Sequence, residues 1–226
     1  MTTSRTRTNQ SSQMSQRAES RFKSFILALD NFYEEPAQVV HAAQAASYHK
    51  PEHCTGYRSQ EVYHPPGIRR RLERLLGLHI TRWDRDPVDE NGVFYQAFAS
   101  GSRKEVPGVH ADFPHTDLTT LIYLTPGLPV DCGTSLWQHG ATGLTSPPTV
   151  KDARRLGMPL QTLRDLMDED ATHRACWLET DRIGYQFNRM IAFPSGRFHS
   201  ATRHHGRSMQ DGRLFQTYRL GVDWDR

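Results

Sequence analysis

From Gly92 onward the chain is a succession of short runs rich in β-branched and aromatic residues: VFYQAFAS, VPGVHADF, LTTLIYL, TSLWQH, NRMIAFP, RFHSAT and RLFQTYRLGV. Gly, Pro, Asn or Asp bounds each one. Runs of this length and composition are strand signals, and the bounding residues are turn signals. So many short strands in sequence bury their apolar faces either as two facing sheets or as a closed barrel. The expected fold class is therefore α+β and mainly β, with an antiparallel core over about residues 92–222.

The first part of the chain reads differently. FKSFILALDNF is expected to be a short buried strand, and EEPAQVVHAAQAAS a helix with Pro36 in its first turn and acids at its positive end. Residues 48–65 form a Pro/His/Tyr-rich segment expected to be a loop. IRRRLERLLG is a helix with Ile68, Leu72, Leu75 and Leu76 on one side, Gly77 as its stop and its arginines in solvent. A helical insert is expected at about 150–170. There VKDARRLG ends on Gly157, and PLQTLRDLMDED starts on Pro159 with Leu160, Leu163, Leu166 and Met167 on one stripe.

With 226 residues the chain is long enough for one substantial core. Residues 1–20 are Ser, Thr, Gln and Arg with almost nothing to bury, and such a segment cannot offset the entropy of ordering. They are expected to be a disordered polar tail ahead of a single domain at 21–226. The net charge is only +3, and five Lys or Arg fall within residues 1–23, so the basic excess belongs to the tail and argues against a nucleic-acid groove. Three cysteines without a C-x-x-C pair fit a reducing compartment. No run is long and apolar enough to span a membrane, and the N-terminus lacks a secretory core. A cytoplasmic protein is expected.

The chemistry is concentrated in VHADFPHTDLTTLIYLTP, which holds His-x-Asp twice, as His110/Asp112 and His115/Asp117. With 12 His and 15 Asp in 226 residues, chance alone supplies roughly one such triplet. The motif needs support from its surroundings. On a strand, residues i and i+2 share a face, so His110 and Asp112 point the same way. One imidazole and one carboxylate are two parts of a two-His, one-carboxylate site for Fe(II), which leaves coordination positions open. The third ligand must be a distant His: His139, His173, His199, His204 or His205. His199 follows a tight Pro-Ser-Gly turn within a strand-like run, whereas His204 and His205 lie in the polar stretch RHHGRSMQDG, expected to be solvated. An anionic co-substrate needs a fixed cation. Arg213 opens the last strand, and Arg219, six residues on, lies on the same face.

HAD, LTTLIYLTP, CGTSLW, NRMIAFPSGRFHSA and GRLFQTYRL, in that order, resemble the core of the Fe(II)/2-oxoglutarate-dependent dioxygenases, in particular the prolyl-hydroxylase-like branch and its small bacterial relatives. The resemblance covers roughly residues 92–222. It implies a double-stranded β-helix, the jelly-roll or cupin-like core, with flanking N-terminal helices. It also decides between the two triplets. In that branch a strand ending in Tyr-Leu follows the metal-binding pair after a short linker. Asp112 leaves room for that linker before Tyr123, and Asp117 does not. The implied metal ligands and catalytic set are thus His110, Asp112 and His199, and His115 and Asp117 are turn residues. The implied co-substrates are 2-oxoglutarate and O2, with Arg213, Tyr123, Thr134 and Arg219 as candidate 2-oxoglutarate contacts.

One position departs from that pattern. Many relatives carry Ser or Thr two residues after the anchoring Arg, where this chain has Phe215, which shifts part of that role to Tyr123 or Thr217. The carboxylate at Asp112 implies hydroxylation or another chloride-free oxidation, because halogenating relatives lack it. Phe94, Phe98, Phe113, Trp137 and Phe198 are candidate pocket linings, and the segments 48–65 and 139–150 candidate lids.

The expected reaction is oxidation of an unactivated C–H bond in a small metabolite, amino-acid-like or a natural-product intermediate. Other readings stay open: a peptidyl side-chain hydroxylase; an alkylated-nucleobase demethylase, which the Arg213/Arg219 spacing resembles; and a non-oxygenase cupin-like metal protein or a binding module.

Overall fold

A computed structural model describes residues 25–52, 56–83, 91–112 and 116–224. The polar stretch 1–20 lies outside the described residues, as do Cys54, Phe113 and His115. The described elements run in chain order β1 (Leu27–Leu29), α1 (Pro36–Ala45), β2 (Tyr48–His49), β3 (Tyr57–Ser59), α2 (Ile68–Leu76), β4 (His79–Arg82), β5 (Phe94–Ala97) and β6 (Leu118–Tyr123). They continue as β7 (Thr134–His139), α3 (Val150–Leu156), α4 (Leu160–Asp170), β8 (Trp177–Ile183), β9 (Met190–Pro194), β10 (His199–Ala201) and β11 (Arg213–Asp223).

The strands form two antiparallel sheets. The larger has the order β1-β9-β6-β11-β5-β3-β2, with β4 also on β11, and the smaller is β10-β7-β8. In β6, Leu118 and Ile122 face one way and Leu121 and Tyr123 the other, as the two-residue period of a strand requires. The first set packs with Leu214, Tyr218 and Leu220 of β11 against Phe32, Val39 and Leu72 around α1 and α2. The second packs with Ile191 and Phe193 of β9 against Leu136 of β7 and Ile183 of β8. Both faces of β6 are thus covered, which is why LTTLIY is buried throughout and reads as a nearly continuous apolar run. A third cluster, with Val109, Trp137, Met167, Trp177 and Phe198, lies where the smaller sheet meets α4.

Local chemistry sets the helix ends. Thr149 and Asp152 cap α3 reciprocally, the Asp152 N–H donating to Thr149 Oγ1 at 3.3 Å and the Thr149 N–H to Asp152 Oδ2 at 3.0 Å. Gly77 and Gly157 close α2 and α3 at φ 67° and 66°, the left-handed conformation that glycine adopts without strain.

Two expectations are corrected, and two strands are found that the sequence reading did not contain. VPGVHADF is not a regular strand: its described part holds one isolated bridge, His110 to His199. Segment 48–65 is not simply a loop, because β2 and β3 within it extend the larger sheet beyond β5. Strand β4 pairs with the end of β11, where HITR carried no strand signal of its own. Strand β8 was also not expected. Its middle five residues, LETDR, are all exposed, because β8 pairs only with β7 and forms the edge of its sheet. An edge strand with one open face does not show the alternation that marks a half-buried one.

Candidate metal centre

The centre begins with a backbone pairing. The His110 N–H donates to the His199 carbonyl at 3.0 Å, and the His199 N–H to the His110 carbonyl at 2.8 Å. Residues that exchange both hydrogen bonds in an antiparallel pair present their side chains on the same face. The two imidazoles accordingly meet with ring centroids 4.4 Å apart. Two residues on, the Asp112 N–H donates to the Ser195 carbonyl at 2.8 Å, which keeps the segment extended and turns the carboxylate to the same side. Asp112 Oδ1 is 3.9 Å from His110 Nε2, and Asp112 Oδ2 is 3.4 Å from His199 Nε2. One potential ligand atom from each of the three residues lies within 4.8 Å of the others.

The backbone also fixes the tautomers. His110 Nδ1 lies 3.0 Å from the Gly108 carbonyl, and His199 Nδ1 lies 2.8 Å from the Arg197 carbonyl. A carbonyl only accepts, so each Nδ1 carries a proton, and Nε2, on the carboxylate side, is the ring atom left to meet a metal. Metal-ligating histidines are commonly oriented by this kind of second contact. His199 is buried, and burial lowers its pKa to about 4, which keeps the imidazole neutral. The His110 side chain is 53% exposed, so the centre opens to solvent on that side.

Asp112 is held at both oxygens. Arg219 Nη1 lies 2.5 Å from Oδ1, and the Thr119 hydroxyl donates to Oδ2 at 2.7 Å. Burial alone raises a carboxyl pKa, but the Arg219 guanidinium, the two imidazoles and the Thr119 hydrogen bond together hold Asp112 well below the usual carboxylate range. Arg219 and Thr119 are cross-strand partners on β11 and β6, so one register places both on the carboxylate. Arg219, a candidate 2-oxoglutarate contact in the sequence, lies against the Asp112 carboxylate. Phe193 packs edge-on against His199, with centroids 4.7 Å apart.

A second polar cluster lies on the same face of the larger sheet. Arg213 is 2% exposed, and its guanidinium donates from Nε to the Cys132 carbonyl at 2.7 Å and from Nη2 to the Gly133 carbonyl at 3.2 Å. Thr134 Oγ1 lies 3.4 Å from the same Nη2 and accepts from the Tyr123 hydroxyl at 2.8 Å. Arg213, Tyr123 and Thr134 are thus brought together. Among the described residues, no Asp or Glu pairs with Arg213. Thr217 does not join this cluster, since its hydroxyl donates to the Thr120 carbonyl at 3.1 Å. Phe215 stacks on Tyr95 and lies under the Arg213 guanidinium, 4.6 Å from ring centroid to Cζ.

The remaining expectations divide. Asp117 braces the end of β11, accepting from the Val222 N–H at 2.9 Å. His139 is buried in a structural contact, with Nε2 2.9 Å from Asp170 Oδ2 and Nδ1 2.9 Å from Thr142 Oγ1. The described aromatic candidates pack elsewhere: Phe94 on the helical side, Trp137 and Phe198 in the α4 cluster, and Phe98 against Tyr57. His204 is not solvated. It is 8% exposed, and neither ring nitrogen has a hydrogen-bond partner. The sequence carried no signal for Thr119 and Phe193 beyond their register on β6 and β9, and none for His204.

A family model described as "Family of unknown function (DUF6445)" matches residues 10–217. No curated protein matches the chain. Among solved structures, the chain is similar to HygX from Streptomyces hygroscopicus with nickel and 2-oxoglutarate bound, at 11% identity over 88% of this chain and 83% of that one, with a TM-score of 0.48. It is also similar to a prolyl hydroxylase from Trichoplax adhaerens in complex with a hypoxia inducible factor peptide fragment. There the identity is 13% over 97% and 94% of the two chains, and the TM-score is 0.48. A prolyl-4-hydroxylase from Pseudomonas putida is similar at 11% identity over 91% and 96%, with a TM-score of 0.39.

Proposed function

The chain belongs to the Family of unknown function (DUF6445), and for it we propose an Fe(II)- and 2-oxoglutarate-dependent oxygenase that oxidises an unactivated C–H bond of a small metabolite. The observation that carries this reading is the convergence of His110, Asp112 and His199, whose ligand atoms lie within 4.8 Å of one another. The donor set fits the metal. Two imidazoles that turn Nε2 toward one carboxylate are the donor set that ferrous oxygenase sites use while leaving positions open.

Bound there, iron and 2-oxoglutarate supply an oxidising equivalent drawn from O2, with succinate and CO2 as by-products. The residues of this chain bind, orient and shield. His110, Asp112 and His199 hold the ion, and Arg219 and Thr119 keep the carboxylate ionised and aimed. Arg213 is a buried cation that finds no acid among the described residues. Leaving it so is costly unless an anion meets it, and a guanidinium grips a carboxylate with two parallel hydrogen bonds. The Tyr123 and Thr134 hydroxyls beside it offer further contacts to that carboxylate. Phe193 covers the buried side of the centre at His199.

We further read residues 21–226 as one domain with a polar tail at 1–20, and the two facing sheets as a jelly roll. The small-metabolite substrate rests on the compactness of the chain. The test is succinate formation from 2-oxoglutarate by the full chain with Fe(II) and O2, screened across candidate small molecules. Succinate release that depends on iron and disappears in Asp112→Ala supports the reading. Stoichiometric iron without any 2-oxoglutarate turnover favours a cupin-like metal protein instead, and no bound iron favours a binding module.

A further inference from the structure

His204 is the one histidine among the described residues that is buried with both ring nitrogens unpartnered. A buried polar group without a hydrogen bond is costly, and native structures rarely keep one without a use for it. Its position is set from both sides. Just before it, the Thr202 N–H donates to the Gly133 carbonyl at 3.0 Å, and Arg203 Nε lies 3.1 Å from Asp131 Oδ1. Just after it, the Gly206 carbonyl accepts from the Ala99 N–H at 2.9 Å. Both anchors lead to Arg213. The Gly133 carbonyl also accepts from Arg213 Nη2, and Arg213 is the cross-strand partner of Ala97, two residues before Ala99. The segment that carries His204 is thus tied down beside Arg213, and the Arg213 charge acts on the His204 ring.

We propose that His204 is a second anchor for the far carboxylate of the co-substrate, donating a ring N–H to one oxygen while Arg213 takes the other. This rests on the oxygenase reading above and deepens it, because the far end then recognises a carboxylate from two directions. Burial keeps the imidazole neutral, so it carries one N–H donor and is a hydrogen-bonding group rather than a second cation. That suits a site where Arg213 already supplies the charge.

The experiment is a calorimetric titration of 2-oxoglutarate into the full-length, Mn(II)-loaded protein without oxygen, for wild type, His204→Leu and His204→Gln. The loss of a hydrogen bond to a charged group predicts that His204→Leu binds 2-oxoglutarate about tenfold or more weakly. His204→Gln, which keeps a donor, is expected within about threefold of wild type. All three should bind Mn(II) equally, and all three should bind 2-oxopentanoate, which has the same chain without the far carboxylate, equally weakly. Equal 2-oxoglutarate affinity in wild type and His204→Leu overturns the assignment of His204 and leaves the oxygenase reading intact. An equal loss for 2-oxopentanoate also overturns it, since the contact is then not to the far carboxylate. A wild-type protein that binds Mn(II) but no 2-oxoglutarate overturns the oxygenase reading, and His204 with it.

Discussion

His110 and His199 are direct cross-strand partners, each peptide N–H donating to the other's carbonyl, at 3.0 and 2.8 Å. Their imidazoles are therefore neighbours by backbone geometry before any ion arrives. A prepared site of this kind converts metal binding directly into stability. At a metal concentration 100 times Kd the native state should gain about 2.7 kcal/mol. Thermal unfolding with and without Mn(II) measures this. His110→Ala should abolish the metal-dependent rise while leaving the metal-free midpoint almost unchanged, because the His110 side chain is half exposed and makes one local hydrogen bond.

Arg219 and Asp112 form a buried ion pair, with side chains 16% and 4% exposed. Removing one partner leaves the other charge buried and uncompensated. Arg219→Met is expected to lower the stability of the metal-free protein by about 3 kcal/mol, and Mn(II) should restore part of that loss by meeting the freed carboxylate. The double variant Arg219→Met/Asp112→Asn should be more stable than Arg219→Met alone. Urea denaturation of the three proteins, with and without Mn(II), gives the comparison. A double variant no more stable than Arg219→Met removes the electrostatic explanation.

Arg213 is assigned to the far carboxylate of the co-substrate. Arg213→Met should weaken 2-oxoglutarate binding about 100-fold, and Arg213→Lys, which keeps charge but loses the fork, about tenfold. Thr134→Val should have a smaller effect. Mn(II) affinity should not change in any of them. Calorimetry on the Mn(II)-loaded protein reads all three, and an Arg213→Met protein that binds 2-oxoglutarate normally moves the anchor elsewhere.

Much of this arrangement was legible in the sequence. LTTLIYL and RLFQTYRLGV were legible as strands β6 and β11, and the six-residue spacing put Arg213 and Arg219 on one face. His110, Asp112 and His199 could be picked out because strand period, turn position and family resemblance agreed on them. What was not legible depends on contacts between distant segments. Arg219 was a secondary candidate beside Arg213 on the same face, and only its register opposite Thr119 shows that it lies on Asp112. His204 sits in a run of polar residues whose local composition signals solvent. Thr202 and Gly206 on either side of it are tied to Gly133 and Ala99, which lie far apart in sequence, and no local pattern records that. Strand β8 was missed for a local reason, since its exposed middle shows no alternation.

His204 also makes a stability prediction that needs no ligand. Burial, with a contribution from the Arg213 charge, lowers its pKa from 6.5 to about 3 in the folded protein. Between those values the unfolded chain holds a proton that the folded chain does not, so this contribution to stability is complete above pH 6.5 and lost as pH falls. At pH 5 the loss is about 2 kcal/mol relative to pH 7. His204→Leu should therefore lose about that much less on acidification than wild type. His199 shifts in the same direction in both proteins and cancels in the comparison. Urea denaturation at the two pH values tests this, and identical pH dependence in the two proteins would mean that His204 titrates normally.

The central claim is that His110, Asp112 and His199 hold one ferrous ion that 2-oxoglutarate can chelate. The most direct measurement is the visible charge-transfer absorption that arises when a 2-oxo acid chelates Fe(II), recorded without oxygen on the full chain. The band is expected in wild type, saturating at one iron per chain, and should be absent in Asp112→Ala and His199→Ala. No band in wild type, or a band of equal intensity in both variants, would contradict the account.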